Sequence, residues 1–273
     1  MQIVGYRWNS GGVRNIFHDS WEPQLIARNN GGMERFSVLD RDVSIKLGER
    51  YCIGHFSDGR HVDCPKHEKI TSGWHCDFCR RADDFFTCVQ CSGECINDKQ
   101  RKACRENTFF IYLAVFDSML KVGISQEHRL YERLIEQGAD FAAKIAYIKD
   151  GMVVRKIEQE LKKSLNCRDR VRGDEKNKRI FGDPNKSVIE ITKALALLKQ
   201  RFDANVLEIY DLRRFYRLEK VARRPRLIAV RSGMDISGRV VAAKGNMMII
   251  KNGAYYSLNA HDLIGREADI QVT

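Results

Sequence analysis

Cys76-Asp77-Phe78-Cys79 and Cys88-Val89-Gln90-Cys91 stand in the pattern C-x2-C-x8-C-x2-C. A two-residue gap lets both sulfurs of a pair face one ion, and zinc takes four such soft ligands in a tetrahedron. Cys52, Cys64, Cys95 and Cys104 lie close by, and four is the number a second closed site needs. The expectation is two structural zinc ions on eight cysteines. Which four thiolates share an ion stays open, because a cross-braced arrangement uses the same residues. His67 and His75 are available substitutes, but eight cysteines leave them as surface histidines. Cys167 stands apart in a basic loop and reads as a free thiol. A closed four-cysteine site offers no position to a substrate, so this zinc holds structure together. A redox pair would need a strand before it and a helix after it, and this segment offers neither clearly.

The segment from 52 to 104 has few aliphatic residues. It cannot build an apolar core of its own and must be stapled. The chain as a whole can bury cores: it has 273 residues, 43% of them hydrophobic, and only 4 prolines. No apolar run approaches the roughly 20 residues of a membrane span. The start, MQIVGYRWNS, lacks the charged-then-apolar pattern of a secretory signal. A cytoplasmic location is expected, where disulfides are disfavoured and clustered cysteines read as metal ligands. The net charge of +11 points to a polyanionic partner, nucleic acid first, with a solvated basic surface as the alternative.

The flanking elements follow from periodicity. Ile3–Arg7, Gln24–Ala27 and Val43–Leu47 alternate like strands, separated by Ser10-Gly11-Gly12 and Asn29-Asn30-Gly31-Gly32. Thr108–Val115 and Leu120–Ile124 read as a hairpin turning at Asp117-Ser118. Gln126–Gln137 is helical, with Leu130, Leu134 and Ile135 on one face and Gly138 placed to end it. Ala142–Ile148 is a third strand. Val153–Leu165 is a second helix, with Val154, Ile157, Leu161 and Leu165 in register. A third helix is expected from about Asn185 to Phe202 and a fourth from Leu207 to Ala222. Val240–Ala243, Met247–Lys251 and Ala254–Leu258 are short strands. Gly245-Asn246 and Asn252-Gly253 stand between them, and Asn-Gly is a strong hairpin signal.

Phe110-Ile111-Tyr112 and Lys121-Val122-Gly123, with Ser125, a helix carrying Arg133 and a later helix carrying Glu158, resemble the GIY-YIG nuclease module. The run YLA…KVGIS…RLIEQGA…IEQEL, with cysteine pairs before it and VVAAKGNMMII after it, is similar to an uncharacterised GIY-YIG-like domain family with a cysteine-rich N-terminal segment. That resemblance implies four roles. Tyr112 helps activate the attacking water, and Lys121 takes the place of the second triplet's tyrosine. Arg133 steadies the phosphate, and Glu158 holds a divalent ion, Mg2+ or Mn2+. The residue types suit phosphodiester hydrolysis, in which a metal and a guanidinium offset the charge developing on phosphate oxygens. Phe110 departs from the motif's first glycine, and Asn166 is the nearest match to its last polar residue.

The whole reads as α+β. A small β module over 1–51 leads to a cysteine-rich zinc segment over 52–107. A GIY-YIG-like α/β domain with a helical extension follows over 108–225, and a small β-barrel over 226–273. Two basic stretches supply phosphate contacts: Arg168, Arg170 and Arg172 after the Glu158 helix, and Arg213, Arg214 and Arg217, with Phe215 and Tyr216 interleaved for base stacking. An amphipathic helix with those aromatics in the core explains the second stretch equally well. The functional expectation is action on RNA or DNA as a divalent-metal-dependent endonuclease. The alternative is a non-catalytic binder that uses the same cleft to grip phosphate.

Overall fold

The computed structural model describes residues 1–10, 21–30, 32–167, 173–202 and 207–273. Strands β1 (Gln2–Asn9), β2 (Glu22–Asn29), β3 (Gly32–Ser37) and β4 (Asp42–Arg50) open the chain. Their alternation sends every second side chain inward, as with buried Val43, Ile45 and Leu47. A small hairpin, β5 (His55–Ser57) and β6 (Arg60–Val62), begins the cysteine-rich segment. Short helices α1 (Asp77–Ala82), α2 (Phe86–Val89) and α3 (Asp98–Glu106) continue it.

The central part runs β7 (Thr108–Phe116), β8 (Met119–Gln126), α4 (Leu130–Glu136), β9 (Phe141–Lys149) and α5 (Gly151–Ser164). Then come α6 (Gly173–Lys178), α7 (Pro184–Phe202) and β10 (Glu208–Asp211). The last strands are β11 (Arg226–Leu227), β12 (Asp235–Lys244), β13 (Met247–Asn252), β14 (Ala254–Asn259) and β15 (Arg266–Val272). The α+β class holds. Among the described residues, no helix is long and apolar enough to cross a membrane.

The described strands form a nine-stranded sheet, β11-β14-β13-β12-β4-β15-β1-β2-β3, a four-stranded sheet, β10-β9-β7-β8, and the β5-β6 hairpin. The expected C-terminal barrel is therefore corrected. The meander β12-β13-β14 does not close on itself, because its free edge on β12 is taken by β4 through Asp235↔Lys46 to Arg239↔Asp42. β15 pairs with β4 on the other side and with β1 at Gln2↔Glu267. Strands read as two modules at opposite ends of the sequence share one sheet.

The expected fourth helix is also corrected. Glu208–Asp211 extends the smaller sheet against β9, from Glu208↔Lys144 to Asp211↔Phe141. Two 3-10 turns follow, Arg213–Tyr216 and Leu218–Lys220, broken at Arg217 by a left-handed φ of 55°. Tyr216 is buried and donates its hydroxyl to the Ala139 carbonyl at 2.7 Å. These aromatics therefore anchor the turn and are not free to stack on bases.

The four-stranded sheet is covered on both faces. Tyr112, Ala114 and Ala142 share one core with Leu130 and Leu134 of α4 and with Ile3, Trp8 and Leu25 of the large sheet. On the other face, Ile111, Leu113, Val115 and Val122 pack against Val154 and Leu161 of α5 and Ile191 and Leu198 of α7. The two sheets touch where the turn after α4 meets the β12-β13 turn. A Cβ on Gly245 would lie 2.7 Å from the Gly138 nitrogen, and both glycines have positive φ. Only backbone without side chains fits such a contact.

Candidate metal centre and cleft

Cys52 follows β4, Cys64 follows β6, and Cys76 caps the start of α1, which carries Cys79. Their four sulfurs all lie within 4.8 Å of one another. Cys64 Sγ and Cys76 Sγ are 3.9 Å apart. A tetrahedron of ~2.3 Å zinc–sulfur bonds has edges of roughly 3.8 Å, so the spacing suits zinc. Cys52, Cys76 and Cys79 are buried. Backbone N–H groups of Gly54 and Cys76 point at the Cys52 sulfur, at 3.4 and 3.2 Å, and that of Cys79 points at Cys76 Sγ at 3.4 Å. Burial pushes the Cys76 and Cys79 thiols up. At Cys64 burial acts the same way, but the backbone N–H groups of Glu68 and Lys66 outweigh it and pull the thiol down.

The two C-x2-C knuckles do not share this site. Cys76 and Cys79 join the earlier pair instead, because the β5-β6 hairpin folds Cys64 back onto α1. Neither histidine substitutes: His67 stacks on Tyr51 at 4.2 Å, and His75 Nδ1 lies 2.6 Å from the Gly54 carbonyl oxygen. The later four, Cys88, Cys91, Cys95 and Cys104, line a cavity of about 200 Å³. Among the described residues they do not meet the 4.8 Å spacing of the first four. Cys91 Sγ points to the Glu94 carbonyl at 3.6 Å and Cys95 Sγ to that of Asn97 at 3.4 Å. Cys104 lies against the start of α5, where a Cβ on Gly151 would be 2.4 Å from its sulfur. Cys167 lies beside β8, and burial raises its thiol to about 11.

The second cluster gathers at the edge strand β8. Tyr112 on β7 stands opposite Gly123 on β8. Its ring lies flat over that glycine, where a Cβ would come within 2.5 Å of the hydroxyl oxygen. Glycine is required here because Tyr112 occupies the space of its side chain. Arg133 of α4 lies beside the hydroxyl, and Glu158 of α5 and Glu136 of α4 are close enough to act on it. Of the four residues expected in one cleft, Tyr112 and Arg133 are in contact, and Glu158 lies within electrostatic range of the hydroxyl. Lys121 shares that face but is directed to Gln137, with Nζ 2.8 Å from Oε1.

Electrostatics set the state of this cluster. Tyr112 is 1% exposed, and burial raises its pKa despite Arg133. The hydroxyl is protonated at neutral pH and shielded from solvent, with Arg133 beside it. Glu158 is 3% exposed and carries two cations, Arg155 at 2.7 Å and Lys162 at 3.3 Å. A divalent ion binds one carboxylate weakly, and here it would have to displace a cation already in place. The donors present do not make a divalent-metal site, and no hydrolytic step is assigned to one. Glu136, which spacing alone did not single out, is pushed up to about 7 by burial and by Glu132, against Arg129, Arg133 and Arg7. Its signal in the sequence is its place one turn from Arg133.

A model of the family described as protein of unknown function (DUF2797) matches residues 41–267. The chain belongs to that family. No curated protein and no solved structure matches it. The expectation of an uncharacterised family holds, and the DUF2797 description names neither a nuclease module nor zinc. The DUF2797 match spans the thiol cluster and every residue of the cleft. Arg168, Arg170 and Arg172 lie outside the described residues. Arg213 lies over the Phe141 ring at 4.8 Å and donates to Asp211 through Nε at 2.9 Å. Arg214 and Arg217 line a shallow pocket with Glu22 and Asp40. All three follow β10, at the opposite edge of the sheet from β8.

Proposed function

We propose that this chain is a zinc-stapled, GIY-YIG-like nucleic-acid-binding protein whose β8 edge grips the phosphate backbone. The observation that supports the reading is the Arg133 guanidinium held against the Tyr112 hydroxyl over Gly123 of β8, with Glu158 within electrostatic range. The charge of +11 and the arginines that follow Glu158 support the partner class. Arg133 is half-buried and oriented by Tyr112, and an oriented guanidinium suits bidentate phosphate contact. The first thiol cluster holds one zinc, and Cys88, Cys91, Cys95 and Cys104 close on a second when it binds. Both ions staple the segment that carries α3 up to β7.

The buried Tyr112 and the doubly paired Glu158 favour binding without cleavage. The second reading is a metal-dependent endonuclease, and the motif order favours it. Labelled single-stranded and duplex RNA and DNA, titrated over a range of salt with magnesium, manganese or chelator, separate the two. Affinity should fall steeply with salt, because bound phosphates release counterions. Arg133→Ala should weaken binding about tenfold, the loss of a hydrogen bond to a charged group. Metal-dependent cleavage that vanishes in Glu158→Gln would establish the second reading. Weak binding to every nucleic acid at low salt would sink both.

A further inference from the structure

We propose that the cavity between Lys121 and Lys176 is a second phosphate pocket, taking the phosphate one step along the strand from the one at Arg133. This rests on the nucleic-acid reading above and names what it leaves unassigned. The cavity has a volume of about 100 Å³ and is floored by Phe116, Met119 and Ala139. Lys121 enters it from β8, Lys176 from α6, and Gln137 from the end of α4.

Charge is what makes this cavity a site. Lys176 Nζ donates to the Gln137 carbonyl at 3.1 Å and to Asn246 Oδ1 at 2.8 Å. Both acceptors are neutral, so they orient the ammonium without cancelling its charge. Among the described residues no carboxylate stands within ion-pair reach of Lys176. Lys244, the third lysine nearby, has its own counter-ion in Asp140 at 2.6 Å. Burial, with Lys121 and Lys244 close by, lowers Lys176 to about 8. A half-buried ammonium beside other lysines is held at a cost that a bound anion removes.

Spacing says which anion. Lys121 lies two residues from Gly123, which is about 6.7 Å along a strand. Gln137 lies four residues from Arg133, which is about 6 Å along a helix. Both steps run the same way, since Arg133 meets Tyr112 over Gly123 and Gln137 meets Lys121. The two positively charged stations are thus one nucleotide step apart on two independent elements. An isolated phosphate would need only one station, whereas a strand laid along β8 meets both.

The test is the salt dependence of single-stranded oligonucleotide binding in the wild-type protein, Lys176→Gln, Lys121→Gln and Lys176→Arg. Removing one bound phosphate should reduce the slope of log affinity against log salt by about 0.7. Lys176→Gln and Lys121→Gln should each show that drop, and Lys176→Arg should restore the wild-type slope. In a second measurement, inorganic phosphate added to the wild-type protein should raise the titration midpoint of the Lys176 amine, followed by NMR. Wild-type binding with unchanged slopes in both glutamine variants would overturn this pocket alone. Failure of phosphate to move the Lys176 midpoint would overturn it as well. A wild-type protein that binds no oligonucleotide would overturn the broader reading together with this one.

Discussion

Four thiols within 4.8 Å of one another face only backbone N–H groups, while at the β8 edge the buried Glu158 already sits between two cations. Both places crowd titratable groups, but only the first is unbalanced. Four thiolates at that distance would repel strongly without a cation between them, so the cluster could hold a metal ion. The Glu158 carboxylate already has its counter-ions. In the cavity beside it, the Lys176 ammonium has only neutral acceptors in Gln137 and Asn246 among the described residues. What a site takes up is read from the charge its own residues leave over, more than from which residue types it contains.

The largest effect should come from the thiol cluster. Cys79→Ala should abolish zinc binding there and destabilise the protein by roughly 5 kcal/mol, because metal binding is part of the folding free energy. Elemental analysis and denaturant unfolding check both parts. A zinc-free protein with unchanged stability would erase the contrast. Glu158→Gln comes next. If the carboxylate serves only to join Arg155 and Lys162, the substitution should cost about 2 kcal/mol with or without magnesium. Magnesium that stabilised the wild-type protein and not the variant would make the cleft a metal site after all.

The smallest effect is a pH dependence at Glu136. Its carboxyl, raised to about 7, holds its proton more tightly in the folded chain than the ordinary value near 4.5 allows in the unfolded one. Its contribution is therefore fully present below about pH 4.5 and is lost as pH rises through 7. Glu136→Gln should remove that slope and stabilise the protein at pH 8 by on the order of 2 kcal/mol. Thermal unfolding at pH 5 and pH 8 measures it, and equal gains at both would place the proton elsewhere.

Legibility in the sequence followed the range of the interactions. The helix Gly151–Ser164 and the hairpin Thr108–Gln126 were legible because periodicity and turns are local. The Asn-Gly and Gly-Asn hairpins near 245 and 252 were legible for the same reason. Ligand types at the zinc centre were legible too, since Cys76 and Cys79 advertise themselves by spacing. Their partners were not, because the β5-β6 hairpin decides them. Residues 207–222 misled because Leu212, Phe215 and Tyr216 stand at helical i, i+3, i+4 spacing, while the pairing of Glu208–Asp211 with β9 overrides that propensity. Most hidden was the shared sheet: nothing near Val43 or Ile236 tells either strand that the other is its neighbour. In the cleft, Tyr112, Arg133 and Glu158 came from motif order, and Arg155 and Lys162 stood one turn either side of Glu158 on its helix, but the burial of Glu158 needed three dimensions to see.

β4 lies between β12 and β15, so a strand made early on the ribosome waits for two neighbours made last. Until they emerge, Val43, Ile45 and Leu47 line a strand with neither edge paired. Such an edge recruits strands from other chains. The cysteine-rich segment and the β7–β9 hairpin unit can form during that wait. Sheet closure is thus the late, non-local and slow event of biosynthesis. A cell making this protein in quantity therefore has to shelter β4 until β12 and β15 have emerged.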